Sequence, residues 1–284
     1  MAGDRYNGPF WLWSCDWPTK QPCHTRSLPN PPPPSGIAVA HNTFSNNHHC
    51  AFVPTTANLG FPRIGAHREL KRAVEGYWNG DHSKQDLLAE GRQLRGRHWR
   101  KQDELGVDHI PSNDFSYYDQ VLDTCAMVGA VPERFPWDGD TVDLDTYFAM
   151  ARGLQEKDLE GEGDGVQAME MTKWFDTNYH YLVPELSRDT DFSLSSTKPI
   201  DEYKQAKSAD IDTRPVLVGP VSFLLLGKTQ DDDLHALDLL DDLLPVYAEV
   251  LQRLADAGAE AVQIDEPTLV LDLDDRERAA FTEA

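Results

Sequence analysis

Long apolar runs are missing from this sequence, and no stretch approaches the roughly 18 apolar residues that a membrane-spanning helix needs. The amino-terminal end is also a poor signal peptide, because Asp4 stands beside Arg5 and the apolar core extends only from Phe10 to Trp13. We therefore expect a cytoplasmic protein with no membrane partner. Cysteine is scarce as well, and four cysteines in 284 residues do not indicate a disulfide framework.

Positive charge is in the minority over the chain as a whole. Lysine and arginine total 26 against 48 aspartates and glutamates, which gives a formal net charge of −22. Such a balance repels the phosphate backbone, so we expect no nucleic-acid partner. An anionic ligand would have to be held by a local basic patch that works against the field of the whole protein.

Residues 1–55 differ in character from the remainder. They contain a proline run at 31–34, clusters of asparagine and serine, and no period of two or 3.6 residues. The sequence predicts a disordered leader, although Trp11, Trp13 and Trp17 are unusual there and leave a docking segment open. Its cysteines and histidines match no zinc-ligand spacing, so we expect no metal site.

The stretch from residue 58 to 78 combines a strand pattern with a helix pattern. Leu59 and Phe61 alternate, Pro62 favours an extended Phe61, and Gly65 breaks the strand. A helix is predicted from about Arg68, since apolar residues follow at helical spacing at Leu70, Ala73, Val74 and Tyr77.

The same helix begins with a basic face. Arg68, Lys71 and Arg72 stand at i, i+3 and i+4, which places them on one side of the first two turns. Cations at a helix amino terminus oppose the macrodipole, so this arrangement suggests an anionic ligand. A solvated helix face is the alternative, and spacing alone favours it.

The chain continues as alternating helices and strands. Ser83 and Asp86 resemble a capping box for a second helix that ends near Gly106. Later helices are predicted over residues 116–129, 143–154 and 237–254, the last kinked or divided at Pro245 and ended by Gly258. Barrel-type strands are predicted near residues 59, 110, 176, 216 and 263, with polar residues directly after several of them. This order is typical of a parallel α/β protein, either a barrel or a doubly wound sheet.

Carboxylates at the predicted strand ends leave a hydrolase open as an alternative function. Asp265 and Glu266 follow one strand, and Asp114 and Asp176 lie near two others, as in many barrel glycosidases. Adjacent strand residues point to opposite faces, so Asp265 and Glu266 do not form the catalytic pair between them.

Four blocks, in order, resemble the amino-terminal domain of the cobalamin-independent methionine synthases. They are Gly60 to Gly65 with Arg68 to Lys71 and Tyr77-Trp78, then Glu170 to Tyr181, Pro215 to Pro220, and Gln263 to Pro267. Enzymes of this family transfer a methyl group from 5-methyltetrahydropteroyl-triglutamate to homocysteine and form methionine. The resemblance implies an incomplete TIM-type (β/α)8 barrel over residues 56–284, with about five of the eight strands, cut inside a helix from about Arg276.

The resemblance also implies which residues meet the substrate. The family's folate-tail elements correspond to Arg68, Glu69, Leu70 and Lys71 and to Lys173. Guanidinium and ammonium groups are suitable partners for a string of glutamate carboxylates. No catalytic or metal-binding residue is implied here, because the family holds its zinc and homocysteine in a second, carboxy-terminal barrel and uses no cobalamin.

We therefore expect this part to bind the folate tail and, by itself, not to methylate homocysteine. A non-catalytic remnant or an interaction module is the second hypothesis, and the barrel hydrolase is the third. Hydrolysis of a saccharide would single out the third hypothesis.

Overall fold

The computed structural model describes residues 55–154 and 165–284. The predictions for the leader and for an acidic connection near residues 156–164 therefore lie almost wholly outside the described residues. The described helices are α1 Glu69–Trp78, α2 Lys84–Glu104, α3 Gln120–Val128, α4 Leu144–Arg152, α5 Lys198–Ser208, α6 Pro220–Leu226, α7 Leu240–Asp256 and α8 Asp275–Glu283. The strands are β1 Ile110–Ser112, β2 Met171–Lys173, β3 His180–Leu182, β4 Glu185–Leu186, β5 Thr213–Val218, β6 Lys228–Thr229 and β7 Gln263–Asp265.

A three-stranded parallel sheet in the order β1-β5-β7 forms the centre of the described fold. Ile110 is paired with Thr213 on one side of β5, and Val218 is paired with Asp265 on the other. Strands β4 and β6 form a separate parallel pair. The predicted strands near residues 110, 216 and 263 are confirmed, and the fold is a mixed α/β structure with parallel strands.

Two of the predicted strands are not formed as expected. Near residue 59 there is only one parallel bridge, between Ala57 and His109. The prediction near residue 176 is wrong, because β2 and β3 form an antiparallel hairpin and residues 174–179 are its turn. Trp174 N donates to the carbonyl of Tyr179 at 2.7 Å, and Phe175 has a positive φ of 48° that a strand does not allow.

Side-chain caps set several helix boundaries. The Ser83–Asp86 capping box is confirmed at the start of α2. Helix α3 begins at Gln120, later than predicted, because the Asp119 carboxylate accepts from Val121 N and Leu122 N. Pro245 does not divide α7, which is continuous and follows a 3-10 turn at Ala236–Leu239.

The apolar stripe predicted for α1 is confirmed. Leu70, Ala73 and Val74 are buried in the main core, and Leu70 is 0% exposed. Cys125 is also buried, as expected for a cysteine that acts as a small apolar side chain. None of the helices in the part of the chain that the structure describes is long and apolar enough to cross a membrane.

Candidate functional site

A tight turn delivers the chain into α1. Arg68 was predicted to begin the helix. In the structure it precedes α1 and adopts the left-handed conformation, at φ 60° and ψ 38°. Gly65 also has a positive φ of 83°, and a side chain there would collide with the Glu69 carboxylate. Arg68 N donates to Gly65 O at 3.3 Å, and Leu70 N donates to Ile64 O at 3.2 Å. A left-handed arginine is uncommon and persists where its surroundings hold it in place.

Glu69 holds this turn. Its carboxylate accepts from His67 N at 2.8 Å and pairs with Arg97 Nη2 of α2 at 3.2 Å. Backbone N–H groups of Glu69 and His67, and then the Arg97 guanidinium, lower the pKa of Glu69 below its ordinary value. Because Leu70 is buried, Arg68 and Lys71 are the members of the predicted Arg68–Lys71 element that are left exposed.

The charges of three side chains, Arg68, Lys71 and Lys173, are open to solvent, and we call them the exposed cations. Lys71 pairs with Glu75 at 3.5 Å, but both side chains are half exposed, so the pair is weak. Lys173 ends β2 opposite His180 in the hairpin. Within residues 55–154 and 165–284, no ion pair joins Arg68 or Lys173 to a carboxylate.

Arg63 lies where the chain before α1 meets two other segments. Its Nη1 donates to Ser116 O at 3.0 Å, and its Nη2 donates to Tyr118 O. The guanidinium also lies beside the phenol of Tyr179 in the hairpin turn. Burial raises the pKa of Tyr179 to about 12, and Arg63 opposes that shift. Sequence reasoning missed this residue, although its position between Pro62 and an isoleucine was a signal of an enclosed charge.

A second polar region lies at the carboxyl ends of the parallel strands. It is a cavity of about 90 Å³, which we call the strand-end cavity, and the polar side chains in its wall include Asn113, Asp114, Lys198 and Asp265. Asp114 accepts from Phe61 N at 2.7 Å, and burial raises the pKa of Asp114 to about 6. Asp265 accepts from Gln263 Nε2 at 2.7 Å, and burial likewise raises its pKa.

Lys198, in the cavity wall, already has three acceptors. Its Nζ lies 2.8 Å from Asn113 Oδ1, 3.1 Å from Asp123 Oδ2 and 3.3 Å from Glu202 Oε1. Burial by itself would lower the pKa of Lys198, but the carboxylates of Asp123 and Glu202 raise it above the ordinary value. Arg95 adds a second cation at 3.3 Å from Glu202. This buried network is neutralised from within the protein.

Glu266 caps a helix. Its carboxylate accepts from Ser222 N at 2.7 Å and from Val221 N at 3.3 Å, so it satisfies amides at the start of α6. Burial raises the pKa of Glu266. A side chain on Gly219 would collide with this carboxylate, which explains the glycine before α6. Asp176 lies in the exposed hairpin turn and not at a strand end, so of the carboxylates predicted for a hydrolase only Asp114 and Asp265 share the strand-end cavity.

The described residues do not fit a zinc ion. In that part of the chain no group of three or more histidine, cysteine, aspartate or glutamate side chains is placed to hold a metal. Its single cysteine, Cys125, is buried, and burial raises the pKa of this thiol well above its ordinary value. A thiol held in that state is a poor zinc ligand, because zinc binds the thiolate.

The fold defines an α/β protein with a parallel sheet, a class in which ligands commonly bind at the carboxyl ends of the strands. Comparison with known proteins narrows the class. Residues 55–284 match the family described as "Cobalamin-independent synthase, N-terminal domain". The chain belongs to this family, the cobalamin-independent methionine synthases, and corresponds to its amino-terminal domain, which confirms the resemblance seen in the sequence.

Curated relatives share this region at high identity. The 5-methyltetrahydropteroyltriglutamate–homocysteine methyltransferase of Salinibacter ruber is 78% identical over 230 residues, which cover 81% of this chain and 30% of that protein. Proteins of the same name from Rhodopseudomonas palustris and Caulobacter vibrioides are 54% and 57% identical, over 84% and 81% of this chain and 32% and 31% of their own lengths. The chain therefore spans about a third of the length of these relatives.

Proposed function

We propose that this chain is the amino-terminal part of a methyltransferase that moves a methyl group from 5-methyltetrahydropteroyl-triglutamate to homocysteine. The family match over residues 55–284 supports the reaction class, and the names of the relatives supply the two substrates. We assign binding of the glutamate tail to this part. Homocysteine and its zinc belong in this proposal to the remaining two thirds of the relatives' length, so the chain alone does not methylate homocysteine.

The exposed cations are the residues proposed to meet the tail. Arg68 approaches it from the turn before α1, Lys71 from the first turn of α1, and Lys173 from the hairpin. Glu69 and Leu70 keep the turn in place, the first through Arg97 and the second through the core. The observation that supports this most directly is the left-handed Arg68, exposed and held by its neighbours in a protein of formal charge −22.

We also propose that the parallel strands belong to a barrel of the (β/α)8 type. Strands β1, β5 and β7, with the Ala57 bridge beside β1, follow one another in the way that successive barrel strands do. In such a barrel the ligand-binding loops follow the carboxyl ends of the strands. The leader over residues 1–55 is proposed to lie outside the barrel and to be dispensable for tail binding.

Tail length provides the test of this function. We expect the affinity of this chain for methyltetrahydrofolate to rise from the monoglutamate to the triglutamate and to fall as salt is added. Exposed carboxylate contacts are worth about 0.2–1 kcal/mol each, so Arg68→Ala, Lys71→Ala and Lys173→Ala should each weaken triglutamate binding by about 1.4- to fivefold. Lys204→Ala, at an exposed lysine of α5, is the matched control and should leave affinity unchanged.

Calorimetry or fluorescence titration measures these affinities. Binding that ignores tail length, salt and all three substitutions would contradict the assignment. Methylation of homocysteine by the chain alone would show that the proposed division of labour is wrong.

A further inference from the structure

We infer that Arg63 is a positioning residue for the tail site, which sets the placement of the Lys173 hairpin relative to Arg68 and Lys71 at the start of α1. This inference rests on the proposed function, because it concerns how the exposed cations are held in one arrangement. Arg63 itself does not contact the tail.

The Arg63 guanidinium is surrounded by backbone acceptors. Arg63 Nη1 lies 3.0 Å from Ser116 O and 3.5 Å from Tyr117 O, and Nη2 donates to Tyr118 O. Three consecutive carbonyls thus converge on one half-buried side chain, and among the described residues no carboxylate forms an ion pair with it. The planar guanidinium has five N–H donors and can donate to all three carbonyl oxygens. The compact ammonium of lysine cannot reach all three.

The loop at residues 116–119, which supplies these carbonyls, is hydrogen-bonded to the hairpin. Asp119 directly follows the three carbonyls, and its Oδ2 accepts from Leu182 N at 3.1 Å, at the end of β3. Its Oδ1 meanwhile caps α3. The phenol of Tyr179 lies beside the guanidinium at the other end of the hairpin. The hairpin is therefore attached through Asp119 to the loop whose carbonyls Arg63 holds, and Tyr179 brings the hairpin turn close to the same guanidinium.

Hydrogen bonds in the hairpin turn connect Tyr179 to the backbone next to Lys173. The hairpin turn is closed by Trp174 N donating to Tyr179 O at 2.7 Å, and by Thr177 Oγ1 donating to Trp174 O at 2.7 Å. Lys173 directly precedes Trp174 and is paired with His180 across the strands. A displacement of Tyr179 would therefore move the backbone that presents Lys173.

The residues directly after Arg63 form the turn before α1. Ile64, its neighbour, accepts from Leu70 N at 3.2 Å, and Gly65 accepts from Arg68 N. Arg63 thus directly precedes the hydrogen-bonded turn that ends at Arg68. Its contacts therefore connect the start of α1 to the loop that holds the hairpin, although Arg68 and Lys173 lie about a hundred residues apart in the sequence.

The experiment compares Arg63→Lys with Arg100→Lys in this chain. Arg100 is the matched control, an exposed arginine of α2 whose guanidinium lies over Gly96. Arg63→Lys should speed amide hydrogen exchange across residues 171–182 by about tenfold or more, which is the change expected from losing one or two hydrogen bonds of a charged donor. Arg100→Lys should leave exchange in the hairpin unchanged.

Tail discrimination is the second readout, taken as the ratio of triglutamate to monoglutamate affinity. Arg63→Lys should reduce this ratio to that of Lys173→Ala, and the double variant should show no further reduction, since both changes remove the same contact. Tyr179→Phe removes only the phenol oxygen and should reduce the ratio in the same direction. It also decides the question if Arg63→Lys fails to fold by its melting curve.

The outcomes separate this inference from the proposed function. A wild-type chain without tail discrimination overturns the proposed function, and hairpin exchange then decides whether Arg63 holds the hairpin. A wild-type chain that discriminates, with an Arg63→Lys ratio equal to that of wild type, overturns the positioning role and leaves the proposed function in place. Faster exchange without a change in the ratio would reduce Arg63 to a structural residue.

Discussion

The exposed cations and the strand-end cavity differ in whether their charges already have partners. In the cavity wall, Lys198 has three acceptors within 3.3 Å, and Asp114 accepts a backbone amide. Among the exposed cations, Lys71 has one half-exposed partner, and no described ion pair involves Lys173. A charge that is already satisfied supports the fold, whereas an unsatisfied charge can bind a ligand. Location at a strand end is therefore not enough to identify a binding site.

The largest effect should come from breaking the buried network. Lys198→Met leaves Asp123 and Glu202 facing each other without their shared cation, which should lower the free energy of unfolding by about 3–5 kcal/mol. Lys204→Met, at an exposed lysine on the same helix, should change it by less than about 0.5 kcal/mol. Denaturant unfolding measures both. If Lys198→Met lowered the free energy of unfolding by less than about 1 kcal/mol, the charges of the cavity wall would support the fold no more than the exposed cations do.

Burial of Asp114 in the strand-end cavity should make the free energy of unfolding depend on pH. Because burial raises the pKa of Asp114 from 3.8 to about 6, the folded protein binds more protons here than the unfolded chain between these values. Its contribution to stability is fully present below pH 3.8 and is lost as the pH rises through about 6. At pH 7 Asp114→Asn should therefore be more stable relative to wild type than at pH 4, by on the order of 2 kcal/mol.

Unfolding curves at a series of pH values measure this effect. Asp103→Asn, at an exposed position in α2, should show a difference from wild type that does not change with pH. A flat difference for Asp114→Asn would mean that its carboxyl is as well solvated as an exposed one.

Glu266 tests whether a strand-end carboxylate is structural. Glu266→Ala removes the acceptor for Ser222 N and Val221 N and should cost about 1–2 kcal/mol of unfolding free energy, as other lost helix caps do. Glu266→Gln keeps an acceptor oxygen and should cost less. Glu260→Ala, at an exposed glutamate, is the control. If Glu266→Ala left stability unchanged but weakened ligand binding, Glu266 would be a ligand-binding residue and not a structural one.

The smallest effect should distinguish function from stability at Arg68. Glycine adopts the left-handed conformation without strain, so Arg68→Gly should raise the free energy of unfolding by up to about 1 kcal/mol. The same variant should bind the triglutamate more weakly, because the guanidinium is lost. Arg68→Ala should lose binding without the gain in stability, and a melting curve together with a titration shows both. An Arg68→Gly variant that melts below wild type would mean that the guanidinium supports the fold.

Local patterns in the sequence predicted the parts of the fold whose causes are local. The apolar stripe of α1 follows from the spacing of Leu70, Ala73 and Val74, and the start of α2 follows from Ser83 and Asp86. The parallel strand near residue 216 was recognisable because Pro215 to Val218 form a near-continuous apolar run that Gly219 and Pro220 close. The site residues themselves came from resemblance to a family, and their contacts with a tail stay a prediction.

The remaining features depend on partners that are distant in the sequence. Glu266 resembled a catalytic acid because its acceptor role is visible only when Ser222 is placed beside it. The sequence did not indicate a role for Arg63, because its acceptors lie more than fifty residues later in the chain. The strand predicted near residue 176 is instead a hairpin turn, in which Phe175 adopts a positive φ that no residue pattern indicated.

The cap of α6 has a consequence for the order in which the chain folds during synthesis. Its acceptor, Glu266, emerges from the ribosome 44 positions after Ser222. Helix α6 has seven residues, well below the roughly 12–15 that an isolated helix needs in water. We therefore expect α6 to stay frayed on the nascent chain while α7 is made. It should become ordered in the same event that adds β7 to the sheet, so a helix encoded early is completed late.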